Sequence, residues 1–198
     1  MQDNILQEIL RSNQTVFTFK ELLIRRRGIN TKTLKSRLHY YVQQGSLYNI
    51  RRGLYAKDKQ YNRLELATKI LVPSYISFES VLRDSGIIFQ YSSAIFVASY
   101  QSRTIQCDGQ SYVFKKLKPV ILTNSVGIEV GQEYSIASTE RAFLDTVYLH
   151  KYYHFDNLEP LNWDKVNELL PIYGENKSMK QRVERYYKIF KDEASENA

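Results

Sequence analysis

One cysteine, Cys107, stands in 198 residues. A lone thiol excludes an internal disulfide and a multi-cysteine zinc site, and it suits a reducing compartment, the cytoplasm. Long apolar runs are missing as well: nothing approaches the ~18 residues that a membrane span needs. The opening MQDNILQEILRSNQ interrupts any hydrophobic segment with acids and amides, which argues against a secretory leader. Glycine is sparse and scattered, and no GxGxxG or GxxxxGK[ST] loop is there to cradle phosphates. The three histidines, His39, His150 and His154, share no metal-ligand spacing with cysteine. His150 and His154 fall four apart at an expected helix end, but HKYYH lacks the glutamate of a HExxH zinc protease. No strand carries an acid followed by Glu-x-Lys, since Gly131 stands where Glu129 would need a lysine. Glu140 and Asp145 share a predicted helix without a third carboxylate spaced to hold a metal. The expectation is a non-enzyme with no cofactor and no metal.

What is present is positive charge in one place. The net charge is +7, yet residues 1–60 hold twelve lysines and arginines against four acids, a net +8. The other 138 residues therefore sum to −1. A localised basic field is what phosphate binding requires, because neutralising phosphates releases condensed counterions.

Within that third the stretch NTKTLKSRLHYYVQQGSLYNIRRGLYA, residues 30–56, reads as one helix and a tight basic hairpin. Asn30 suits an N-cap. Leu34, Leu38, Tyr41 and Val42 fall within roughly 80° of arc on a helix of ~3.6 residues per turn, a buried stripe. Gly45 stops the helix where a positive φ is tolerated. Leu47, Asn49 and Arg51 then alternate with Tyr48, Ile50 and Arg52, and Gly53 turns the chain. Before it, Thr18 and Glu21 form a capping box that opens a shorter helix from Phe19 to about Arg26. Two helices joined by a glycine-containing turn, with an arginine-tipped hairpin next, have the form of a winged helix-turn-helix. The face of the second helix opposite that stripe carries Lys32, Thr33, Ser36, His39, Tyr40 and Gln43, with Lys35 and Arg37 on the flanks, which offer donors to base edges and phosphates. Arg51 and Arg52 repel each other at the hairpin tip, and a phosphate or minor-groove partner accounts for their pairing. Thr31, Lys32, Thr33, Lys35, Ser36, Arg37, Tyr40, Arg51 and Arg52 are the expected DNA-contacting set.

Further on, residues 58–62 read as a linker, dividing a DNA-binding domain (1–60) from a mixed α/β domain (61–192) and a disordered tail (193–198). The second part predicts a helix through Leu64–Leu71 and one from Phe78 to Asp84 capped by Ser77. Strands at 95–98 and 104–107 follow, with a hairpin at Asp108-Gly109. A return strand covers 112–114, and strand candidates lie at 120–122 and 134–137. A helix over 139–149 capped by Ser138 and two more over 163–170 and 178–191 complete it. The fold class is α+β, with a small antiparallel sheet in the second part.

Three segments, RRGLYA, LVPSYISFESVLRDSGII and IASTERAFLDTVYL, resemble the AbiEi family of antitoxins of bacterial abortive-infection toxin–antitoxin pairs. Pro73-Ser74-Tyr75-Ile76-Ser77 with Glu79-Ser80 and Gly86 is similar to that family's P-S-Y-I-S-x-E-S-A-L…G pattern, with Val81 where alanine is usual. The third segment is similar to I-A-x-x-E-K-A-L-L-D-x-x-Y, with Arg141 for lysine and Phe143 for leucine. The resemblance runs from about Val16 to Leu149. It implies an N-terminal winged helix that binds inverted repeats in its own promoter and represses the operon. It further implies a C-terminal domain that supports cooperative DNA binding and counters a nucleotidyltransferase-type toxin without a stable complex. The alternatives are a toxin- or RNA-binding adaptor with no promoter activity, and an enzyme built on Glu79, Asp84 or Asp145.

Overall fold

Period-two alternation along two short strands sets the layout of this chain. In the computed structural model, which describes residues 5–26, 28–131, 133–174 and 176–196, helix α1 (Ile5–Arg11) precedes strand β1 (Val16–Thr18) and helix α2 (Phe19–Arg25). Helix α3 (Thr31–Gln43) and the hairpin of β2 (Tyr48–Arg51) and β3 (Leu54–Ala56) follow. The caps are those the sequence predicts. Thr18 Oγ1 accepts from Glu21 N at 3.0 Å, and Glu21 Oε2 accepts from Thr18 N at 2.8 Å. Asn30 Oδ1 accepts from Lys32 N at 2.8 Å. Gly45, at φ 67°, leaves α3 in the left-handed region, where a Cβ would be strained. The strands lie in the order β1-β3-β2, all antiparallel, a layout that with α2 and α3 is compatible with the expected winged helix-turn-helix.

This sheet packs on both faces. Because successive side chains point opposite ways, Phe17 and Tyr55 join Ile5, Ile9, Leu22, Leu34, Leu38 and Leu47 in a small core among the helices. Val16, Leu54 and Ala56, their neighbours on the same strands, belong instead to the large core of the rest of the chain. The polar run 58–62 is correspondingly no free linker. Tyr61 is buried in the large core, and Asn62 N donates to Thr15 Oγ1 at 2.9 Å. The Asn62 side chain caps α4 (Arg63–Ile70). One aromatic in an otherwise hydrophilic run was enough to pin it.

The first turn of α4 carries Glu65, which is fully buried. Its Oε2 accepts from Thr15 N at 2.8 Å and Thr15 Oγ1 at 2.7 Å, while Oε1 lies 3.1 Å from the Lys69 ammonium. Lys69 Nζ also donates to Val16 O at 2.5 Å and meets Glu21 Oε2 at 3.4 Å. A charge taken out of water needs partners of this quality, and here the partners are β1 and the cap of α2.

The remainder is built on a six-stranded sheet. Its strands are β4 (Ser74–Ile76), β5 (Ile95–Ser99), β6 (Arg103–Cys107), β7 (Gln110–Lys116), β8 (Ile128–Val130) and β9 (Ser135–Ala137), in the order β6-β7-β5-β4-β9-β8. Its helices are α5 (Glu79–Asp84), α6 (Pro119–Leu122), α7 (Thr139–Leu149), α8 (Trp163–Leu169) and α9 (Lys177–Glu196), with a 3-10 turn at Leu170–Tyr173. The α+β class holds, while the second sheet is larger than expected and mixed, since β4 pairs β9 and β5 pairs β7 in parallel. Residues 120–122 are helical rather than strand: Pro119 occupies the first turn of α6, where its missing N–H costs nothing. Strand β8, a three-residue edge, had no readable pattern. The final helix runs to Glu196, so residues 193–196 of the expected tail are helical, and 197–198 lie outside the described residues. Met179, Val183 and Tyr186 bury its apolar side, with Tyr186 edge-on to Phe143 at 5.7 Å.

Ser77 is not the cap of α5. The N-cap is Phe78, held at φ 55° and ψ −138° without a side-chain cap bond, and Ser77 Oγ turns inward to donate to Asp145 Oδ2 at 2.8 Å. Tyr75 OH donates to the same oxygen at 3.0 Å, and Tyr173 OH donates to Oδ1 at 2.7 Å. The Arg141 guanidinium, one turn earlier on α7, stands 3.6 Å from Oδ1, and both side chains are 0% exposed. Arg141 also donates to Val126 O at 2.8 Å and Ile121 O at 2.7 Å. One carboxylate thus joins β4, α7 and the Leu170–Tyr173 turn. Asp145→Ala strands the guanidinium and three hydroxyls, so it is expected to lower unfolding free energy by about 3–5 kcal/mol. Asp145→Asn, which keeps an acceptor, is expected to cost less; the urea midpoint at constant m-value measures both.

Candidate nucleic-acid interface

The apolar stripe of α3 determines what its other side presents. With Leu34 and Leu38 buried and Tyr41 and Val42 half-buried, Thr31, Lys32, Thr33, Lys35, Ser36, Arg37, His39 and Tyr40 are all exposed. Tyr40 is 59% exposed, with its ring edge-on to Tyr41 at 5.9 Å. Five of the helix's outward residues are cationic or aromatic, and α3 has no acid in its first turn. That end of a helix carries partial positive charge and free N–H groups, which adds to the attraction for phosphate.

Arg51 ends β2, Arg52 follows it, and both are exposed. Gly53, at φ 79°, makes the turn between the strands. The register shifts between Asn49 and Arg51, a bulge that twists the hairpin tip. Among the described residues no carboxylate lies within ion-pair distance of either guanidinium, although Arg51 is near enough to Cys107 to pull its thiol pKa down against the dominant effect of burial. The cations at the end of α2 differ. Arg26 Nε sits 3.2 Å from Glu8 Oε2, and Arg25 Nη2 donates to Gln14 Oε1 at 2.5 Å. Arg25 and Arg26 are thus engaged within the fold, whereas the expected wing and α3 residues project into solvent.

Spacing alone did not reveal the group that meets the base of the wing. Asp108, at the tip of the β6–β7 hairpin, accepts from Tyr48 OH at 3.1 Å and from Tyr61 OH at 2.9 Å. The two rings stack, 6.3 Å apart and 21° from parallel. Arg63 Nη1 donates to Asp108 O at 3.0 Å, and Lys59 Nζ stands over the Tyr48 ring at 5.8 Å. The hydrogen bond to Asp108 raises the Tyr48 pKa; burial first, then the same carboxylate, raises that of Tyr61. Both hydroxyls therefore stay donors well past neutral pH. The Asp108-Gly109 pair was legible as a turn, with φ of 53° and 74°, but its partners are 47 and 60 residues away.

The acids considered for catalysis are dispersed. Glu79 pairs with Lys115 at 2.7 Å, the exposed Asp84 with its half-buried neighbour Arg83 at 3.3 Å, and Asp145 is sealed inside. Glu79 and Asp156 line an open cleft of about 780 Å³ beside Phe89, Tyr91 and Tyr153. Asp156 Oδ2 there accepts from Phe89 N at 2.7 Å. His150 follows the last residue of α7 and His154 lies beyond it, so the two do not share a helix face. Among the described residues no group of three histidine, cysteine or acidic side chains could hold a metal ion. No helix among them is long and apolar enough to cross a membrane.

Residues 4–56 match the family model described as "Transcriptional regulator, AbiEi antitoxin". That span holds α1 to α3 and the β2–β3 hairpin, and the match agrees with the resemblance read from the sequence. No curated protein matches the chain. The PSYIS and TERAFLD segments lie outside the matched residues.

Because neither Arg51 nor Arg52 is buried or ion-paired, the double variant Arg51→Ala/Arg52→Ala is expected to change stability by no more than about 0.5 kcal/mol. Thermal unfolding followed by circular dichroism checks this.

Proposed function

We propose that this chain is a DNA-binding antitoxin that represses its own operon. Residues 1–60 form the DNA-binding domain, with α3 in the major groove of an inverted repeat and the Arg51-Arg52 wing on the flanking backbone or minor groove. The single observation that carries this reading is that the family-matched segment holds both the chain's positive excess and an exposed polar face on α3. Phosphates would be met by Lys32, Lys35, Arg37, Arg51 and Arg52, and base edges by Thr31, Thr33, Ser36 and Tyr40, a division between positioning and readout. Residues 61–192 would support binding by neighbouring copies and counter a nucleotidyltransferase-type toxin, with or without a lasting complex. This function asks no bond-making of the protein.

The test is a titration of the duplex immediately upstream of the operon at several salt concentrations. Arg51→Ala/Arg52→Ala is expected to weaken binding and to flatten the log–log salt slope by about one unit per lost phosphate contact, about two in all. Unchanged affinity would remove the wing from the interface. Lys35→Ala should lower affinity for every sequence alike, whereas Ser36→Ala should narrow the difference between operator and unrelated DNA.

A further inference from the structure

We infer that Asp108 is a positioning residue for DNA binding: its carboxylate clamps the base of the wing to the six-stranded sheet and so sets where Arg51 and Arg52 stand. The inference rests on the reading of the wing as a DNA contact, and it adds a residue from the other end of the fold to that site.

The geometry is that of a clamp with two jaws. Tyr48 belongs to β2, the outer strand of the wing, and Tyr61 to the segment that leaves the winged helix. A single carboxylate receives both hydroxyls, at 3.1 and 2.9 Å, and the stacked rings hold the jaws together. Strand β2 is the edge of its sheet, paired only with β3 and bulged just before the tip. Apolar packing holds the body of this four-residue edge strand, Tyr48 and Ile50 against the large core, and the Asp108 bonds add a polar anchor at its base. The Arg63 bond to Asp108 O holds the hairpin that carries the clamp. Gly109 and Asp108 both adopt positive φ, so the turn presents the carboxylate toward the wing without help from a longer loop.

Asp108 is itself exposed, so removing it strands no buried charge. Its charge also gives the proposal a sign. A carboxylate near a phosphate-binding wing repels DNA, so if it did nothing else its loss would tighten binding. If it positions the wing, its loss weakens binding.

The experiment uses the full chain and the same upstream duplex. Asp108→Gly keeps the left-handed turn and removes the acceptor. Tyr48→Phe/Tyr61→Phe removes the donors without changing charge. Each is expected to lower affinity about fivefold, the scale of one or two net hydrogen bonds, and to reduce the salt slope. Neither should lower affinity further in the Arg51→Ala/Arg52→Ala background, because a wing without its arginines has nothing left to misplace. Amide exchange should quicken in β2 and β3 while α7 stays protected. Tighter binding by Asp108→Gly would overturn the proposal. So would losses that multiply with the arginine variant, or faster exchange throughout both cores. Unchanged affinity in the clamp variants, with the arginine variant still weakened, would overturn the clamp and leave the DNA reading standing. If the arginine variant binds as well as the parent, the wing is not a DNA contact and both fail.

Discussion

A three-stranded sheet with a core on each face is the constraint that the rest of this molecule obeys. On an isolated winged helix the outer face of that sheet would meet water. Here Val16, Leu54 and Ala56 turn that face into part of the large core, while Phe17 and Tyr55 complete the small one. Neither core closes without the strands they share. Helix α3 is therefore not a module on a tether, and its direction is tied to that of the six-stranded sheet through two-sided packing.

Polar contacts refine what the apolar faces impose. Glu65 has no access to water and finds its donors on Thr15 and Lys69, which ties α4 to β1. Asp145 does the same between α7, β4 and the Leu170–Tyr173 turn. In both cases removal of one partner costs far more than the pair's net contribution, because the other is left desolvated. This gives a physical account of the TERAFLD segment. Arg141 and Asp145 are interior members of a structural network, and the motif marks how the second part is held together.

The distribution of charge follows from the same packing. Leu34 and Leu38 orient α3, so its lysines, arginine and hydroxyls have only solvent to face. Carboxylates that could neutralise them lie elsewhere: Glu8 on Arg26, Glu21 on its own cap and on Lys69, Glu79 on Lys115. The acids with catalytic potential are each engaged separately, and among the described residues the cations of the β2–β3 hairpin and α3 have no carboxylate at ion-pair distance. An arrangement of that kind favours binding a polyanion over transforming a small substrate.

Local chemistry was readable from the chain itself wherever spacing and side-chain type act over a few residues. The Thr18/Glu21 box, the Asn30 and Ser138 caps, the glycine stop at position 45, the Asp108-Gly109 turn and the stripe of α3 are of this kind. They depend on hydrogen bonds and periodicity within one or two turns of backbone. The concentration of charge in residues 1–60 is likewise a property of order along the chain. Tertiary structure alone decided that Tyr61 pins an apparent linker, that Ser77 serves Asp145 rather than a helix, and that β4 and β9 run parallel. It also decided that a turn near the middle of the chain meets the base of the wing. Each of these joins residues tens of positions apart, and the preference for one partner over another lies in desolvation and shape, which no short window of sequence records.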